Sequence, residues 1–348
     1  MRGILIFLTI LFCGASSYAQ TAKATESLVF SKFPQESSLL FEPLFKLKKG
    51  RARRLYLVDS TIFVWNMDGA EDYFFYWYSI TGKNLSDGYI KGGQRPGDAF
   101  GAMSAGIYKK MLWLHDIVLD KLFTVNLTKS GTGKDTVIRK DYPVPVFYYS
   151  VQLIDSMKIL GAGAYNSRSK IEEMDLWSGK ITKAMGSFDN VPKEIPFNSW
   201  KNAYESFLFT RPAEDKFVLA CRFADQVEIF DLKNQKSRLV KGPDKYEPAF
   251  NPIIVSGMDM AERNEKTTFA FLNGMTTQNY IYLLYSGHHE GEHINAGKYI
   301  YVYDWKGKPI KRFQTDRYIT CFAVSADDQI MYAFDPETRA VVKTAFSL

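Results

Sequence analysis

Cysteine and histidine are scarce: three Cys and four His in 348 residues. No Cys-x-x-Cys pair occurs, which excludes the common thiol-redox and zinc-ribbon patterns. No apolar run reaches the ~20 residues that a membrane-spanning helix needs. No Pro- or Ser-rich linker divides the chain. Charge of one sign is never concentrated for long: the net charge is +6, but 44 Lys and Arg are mixed with 38 Asp and Glu. That is the pattern of a solvated surface and not of a nucleic-acid site. The one basic cluster, residues 46–54 (KLKKGRARR), is short. The strings G-x-S-x-G, G-x-G-x-x-G and a complete P-loop are missing, so no nucleophile elbow or phosphate cradle is legible.

The N-terminus reads as a signal peptide over residues 1–19. Arg2 supplies positive charge, residues 4–12 are apolar, and Ser17-Tyr18-Ala19 is a small-x-small cleavage site before Gln20. The expected product is exported, soluble, and periplasmic or associated with the cell surface. Lipidation at Cys13 is disfavoured because bulky Phe12 precedes it. Cys221 and Cys321 lie in alternating apolar stretches and are expected to be buried thiols. The remaining residues, 20–348, are expected to form one domain.

What is present is strand sequence. Aromatic residues make up 15% of the chain, and Val, Ile and Tyr cluster in short runs. Residues 73–90, 121–139, 170–185, 226–240 and 298–313 share a pattern. An apolar-aromatic strand leads to a turn rich in Asp, Gly and Lys, and then to a polar strand. A hairpin recurring about every 50 residues is the signature of a propeller blade. Laying out four strands per blade (a to d, from the channel outward) fills five blades. Residues 319–348 hold only three strands, which would leave an open edge. The orphan strand at residues 27–33 (SLVFSKF) is expected to pair with residues 340–346 and close the ring. The fold class is therefore all-β: a six-bladed β-propeller whose last blade is closed by an N-terminal strand.

Two stretches carry a family likeness. One is Gly92-Gly93-Gln94-Arg95-Pro96-Gly97-Asp98-Ala99-Phe100. The other joins residues 282–287 (YLLYSG) to residues 301–309 (YVYDWKGKP). The chain thereby resembles the exported, TolB-like six-bladed propellers of Bacteroidetes, although Arg95 and Asp98 depart from the family string. The resemblance implies the fold and supplies no chemistry.

Propeller geometry puts the d–a and b–c connections on one face, here called the top. The long d–a segments are residues 91–101, 188–204 and 242–266, and the blade 5 b–c loop is residues 287–297. Long loops on a rigid scaffold are the expected seat of binding. Candidate binding residues are Arg95, Trp200, Tyr204 and Tyr246 on these loops, with His115, Arg211 and Arg222 approaching the channel. The loop Gly287-His288-His289-Glu290-Gly291-Glu292-His293 contains H-E-x-x-H. Gly291 and the flanking strands argue against the helix that a zinc protease needs. His288, His289 and His293 remain candidate ligands for a divalent metal ion.

Two functions compete. The first is a non-catalytic module that binds a protein, peptide or glycan with its top loops. The second is a metal-dependent hydrolase or lactonase, resembling gluconolactonase-type propellers, with a site at the channel. A nucleic-acid partner and a transmembrane segment are not expected.

Overall fold

A computed structural model describes residues 24–127, 139–292 and 295–348. The expected signal peptide, Cys13 and His293 lie outside the described residues.

Six four-stranded antiparallel arrangements surround a channel. Their inner strands are Ala52–Val58, Ala102–Tyr108, Ser150–Asp155, Ser206–Thr210, Phe271–Thr276 and Cys321–Val324. Strand b is buried on both faces because a neighbouring blade covers each side. In Thr61–Asn66, Lys216–Cys221 and Tyr280–Tyr285 only the first residue escapes burial. Such strands read as apolar runs and not as alternation. Between blades 4 and 5 the core contains Phe209, Val218, Phe271, Leu283, Tyr301 and Tyr303.

The repeated Asp of the c–d turns has a direct role. Asp175, Asp231 and Asp304 each accept a backbone N–H from inside the turn, at 2.8 to 2.9 Å. This Asx geometry fixes the reversal without a long loop. Gly307 completes one such turn at φ +81, where Val240 leaves no room for a Cβ.

An N-terminal strand closes the ring, but it is not the expected one. Glu42–Lys46 pairs antiparallel with Ala340–Ala345. Residues 27–33 run elsewhere: Ala24–Val29 adds a parallel fifth strand to Lys236–Lys241 of blade 4. Glu36–Leu39 does the same to Pro309–Ile319 of blade 5. Alternation alone cannot distinguish three candidate edge strands, because each offers one apolar face. Phe33, between the two parallel strands, is buried against Tyr301 at 4.6 Å between ring centroids and anchors the segment there. The d strand of blade 2 is Arg139–Pro143, and that of blade 1 is the short Tyr89–Lys91.

Two elements on the top face were not anticipated. The blade 3–4 connection contains the helix Phe197–Ala203, and the blade 4–5 connection contains a hairpin, Phe250–Val255 with Met258–Arg263.

Candidate functional site: a cleft over blades 3 and 4

The helix and hairpin are locked to the ring by polar contacts. Lys201 is buried on the helix, and its Nζ donates to the carbonyls of Ala164, Tyr165 and Ser167 at 2.5 to 2.8 Å. Burial brings its ammonium down to about 8. Asn202 Oδ1 accepts the Ala261 N–H at 3.0 Å, and Tyr165 Oη accepts the Asp259 N–H at 3.0 Å. Helix, hairpin and the blade 3 b–c loop thus form one assembly. Gly163, at φ +83, lies so close to the Tyr149 ring that any Cβ would clash.

Beneath this assembly opens a cleft of about 840 Å³. Its apolar wall is Phe188, Trp200, Tyr204 and Phe250. Trp200 is half-buried, 5.0 Å from the Tyr204 ring and edge-on to Phe250 at 6.3 Å. The polar wall is made of paired charges. Lys170 Nζ lies 2.6 Å from Glu228, which also accepts from Ser237 Oγ at 2.7 Å. Glu247 pairs with Lys241 and accepts from Tyr204 Oη at 2.8 Å. Burial, and then this bond to Glu247, raise the Tyr204 phenol, keeping it a donor. Cys221 lies at the floor as a buried free thiol, and burial pushes it up to about 11. It is therefore a poor nucleophile at neutral pH. Cys321 is likewise free and buried.

The other sequence candidates are dispersed. Tyr246 packs on the core between blades 4 and 5, and burial raises its phenol. Arg95 is exposed on the blade 1–2 connection and does not line the cleft. Arg222 lines the top of the channel, 2.7 Å from Glu205. Arg211 lies at the other end of strand a. It pairs with Asp215 at 3.1 Å and donates to the Gln278 carbonyl at 2.9 Å. His115 is buried within blade 2, held down to about 4 by burial, and its Nδ1 has no hydrogen-bond partner among the described residues. His288 and His289 diverge. The first approaches Glu292 and Tyr318 at 3.4 Å, and the second approaches Thr268 at 3.1 Å. Residues 287–292 are not helical. Among the described residues no three His, Cys, Asp or Glu side chains gather as metal ligands.

Sequence reasoning missed Glu228, Glu247, Lys170 and Lys241, because paired charges on strands look like ordinary surface. Residues 46–54 did carry a signal. Lys49 and Arg51 face outward in ion pairs with Asp72 and Asp68. Arg53 and Arg54 turn to the channel.

Fold and cleft together define a β-propeller with an asymmetric, built-up top face. The chain belongs to the TolB-like six-bladed propeller family, described as "TolB-like 6-blade propeller-like", which matches residues 29–327. Among solved structures it is similar to a Bacteroides fragilis protein described as exported. The TM-score is 0.55 at 11% identity, over 92% of this chain and 99% of the other. It is also similar to the β-propeller domain of Myceliophteria thermophila Cps50 (Swd1), with TM-score 0.46, 9% identity, and coverage of 88% and 100%. The Kuenenia stuttgartiensis hydrazine synthase matches at TM-score 0.46 and 11% identity, over 87% and 97%. No curated protein matches the sequence. Among the described residues no helix is long and apolar enough to cross a membrane.

Proposed function

We propose that the protein is an exported, non-catalytic binding propeller that holds a peptide segment of a partner in the cleft over blades 3 and 4. The observation that carries this reading is the cleft itself. About 840 Å³ opens between two connections that share no sequence repeat and the strands of blades 3 and 4, with aromatic side chains on one wall and paired charges on the other. Ligand sites typically occupy about 300–1,000 Å³ and combine apolar walls with a few fixed polar groups. Trp and Tyr anchor such contacts because they bury large area at low entropic cost. The Lys170–Glu228 and Lys241–Glu247 pairs present both signs of charge, which suits a peptide backbone with mixed side chains. The signal-like sequence of residues 1–19, with its apolar run and small-x-small site, supports export.

Peptide and glycan arrays probed with the labelled protein test the reading. Expected is a peptide class whose affinity falls about tenfold or more in Trp200→Ala and Phe250→Ala. Retention in those variants, with loss on changing the c–d turns at Thr81 or Lys306, would assign binding to the opposite face. A glycan ligand with the same variant pattern would keep the site and change the ligand class.

A further inference from the structure

The top of the channel is a separate cavity of about 210 Å³, and it is basic. Arg53 and Arg54 come from strand a of blade 1, and Arg222 comes from the end of strand b in blade 4. Three guanidiniums and one carboxylate, Glu205, line it. That carboxylate is engaged, since Glu205 Oε1 accepts from Arg222 Nη1 at 2.7 Å. Among the described residues neither Arg53 nor Arg54 forms an ion pair. Arg53 Nη1 donates to the Ala102 carbonyl at 3.1 Å.

Aromatic faces hold these cations in place. Arg53 lies 4.6 Å over Trp65, and Arg54 lies 4.9 Å over Phe209 and 5.8 Å over Phe207. Arg222 lies 5.3 Å over the same Phe207. Stacking fixes the planes and removes water from one side of each. Burial, and then repulsion from Arg54 and Arg222, bring Arg53 down to about 10. Arg53 and Arg54, half-buried like charges with no carboxylate paired to either among the described residues, carry a free-energy cost that a bound anion would offset. A water occupies ~30 Å³, so the cavity holds several waters or one small solute.

We propose that the channel mouth binds the oxyanion group of a small ligand (a carboxylate, sulfate or phosphate) between Arg53 and Arg54, with Arg222 fixed at the rim by Glu205. Planar guanidiniums match such groups with paired N–H donors. The site is distinct from the cleft, and Tyr149 is a wall common to both.

The test is calorimetric titration of the full chain at low salt with inorganic phosphate, inorganic sulfate and glucuronate as separate probes. At least one is expected to bind, more weakly in high chloride. Glucuronate alone would assign a carboxylate ligand, and binding by all three would assign oxyanions in general. Arg53→Gln and Arg54→Gln are each expected to weaken binding about tenfold or more while the melting temperature stays near the parent's. Should either fail to fold, Arg54→Lys keeps the charge, loses the planar fork, and is still expected to bind less. Trp200→Ala, in the cleft, is expected to leave the titration unchanged, so the two readings fail separately. No binding by any probe overturns the proposal. So does binding that persists unchanged without Arg53 and Arg54, which would mark an adventitious ion only.

Discussion

Lys201 Nζ donates to the Ser167 carbonyl across 2.8 Å, joining the helix Phe197–Ala203 to blade 3. The same ammonium serves Tyr165 and Ala164. One cation therefore ties the helix to three carbonyls of the blade 3 loop. Lys201→Met leaves three carbonyls without their donor. A loss of about 2 kcal/mol is expected, read by urea denaturation, with hydrogen exchange accelerated in the helix. Exchange unchanged in the helix would show that the hairpin alone holds it.

Asp225 supplies a pH dependence. Its carboxyl is buried, Oδ2 accepts the Asp244 N–H at 2.9 Å, and Oδ1 has no partner among the described residues. Burial pushes it up to about 7, above the ordinary 3.8. Between those values the folded protein holds a proton that the unfolded chain has released. The stability this contributes is fully present below pH about 4 and is lost as pH rises through about 7. Asp225→Asn retains an acceptor and removes the titration. Relative to the variant, the parent should lose roughly 1 kcal/mol per pH unit across that window. Parallel stability curves would refute this.

His115 gives the opposite slope. Burial, only partly countered by Asp116, holds it near 4, below the ordinary 6.5. The unfolded chain takes up a proton first as pH falls. This contribution is present above pH about 6.5 and is lost as pH drops towards 4. His115→Leu should flatten the acid limb of the stability curve. A variant with the parent's acid limb would show that another group sets it.

Truncation separates the three N-terminal strands. A chain beginning after Pro34 loses the parallel strand on blade 4 and the buried Phe33, at a cost of about 3–5 kcal/mol. Its blade 6 still keeps the partner at Glu42–Lys46, so it should keep the parent's oligomeric state by light scattering. A chain beginning after Leu47 exposes the edge of Ala340–Ala345 and should associate. Equal association by both chains would place closure elsewhere.

Blade count and most strand positions were legible because the blades repeat one chemical sentence: an apolar b strand, a c strand and a tight turn, led by Asp in blades 3, 4 and 5. The assignment of edge strands was not legible. Val29, Leu39 and Phe45 each sit in strands that pair through backbone, and partner choice rests on contacts such as Phe33 with Tyr301 that lie far apart in sequence. The helix over blade 3 was hidden for a related reason. Residues 197–203 (FNSWKNA) are short, preceded by Pro196 without a side-chain cap, and stabilised by the tertiary anchor of Lys201. Trp200 and Tyr204 were visible as aromatic loop residues. The Glu228 and Glu247 pairs that face them depend on blade packing.

The N-terminal strap has a consequence for the order of assembly. Residues 24–46 touch blade 4, then blade 5, then blade 6, and Arg339 Nη2 donates to the Gly50 carbonyl 289 positions away. A segment synthesised before every blade thus finds its partners last. Blades 1 to 3 can form as they emerge, but the circle cannot be sealed until nearly the whole polypeptide has been synthesised. Such distant pairing slows the final step of folding.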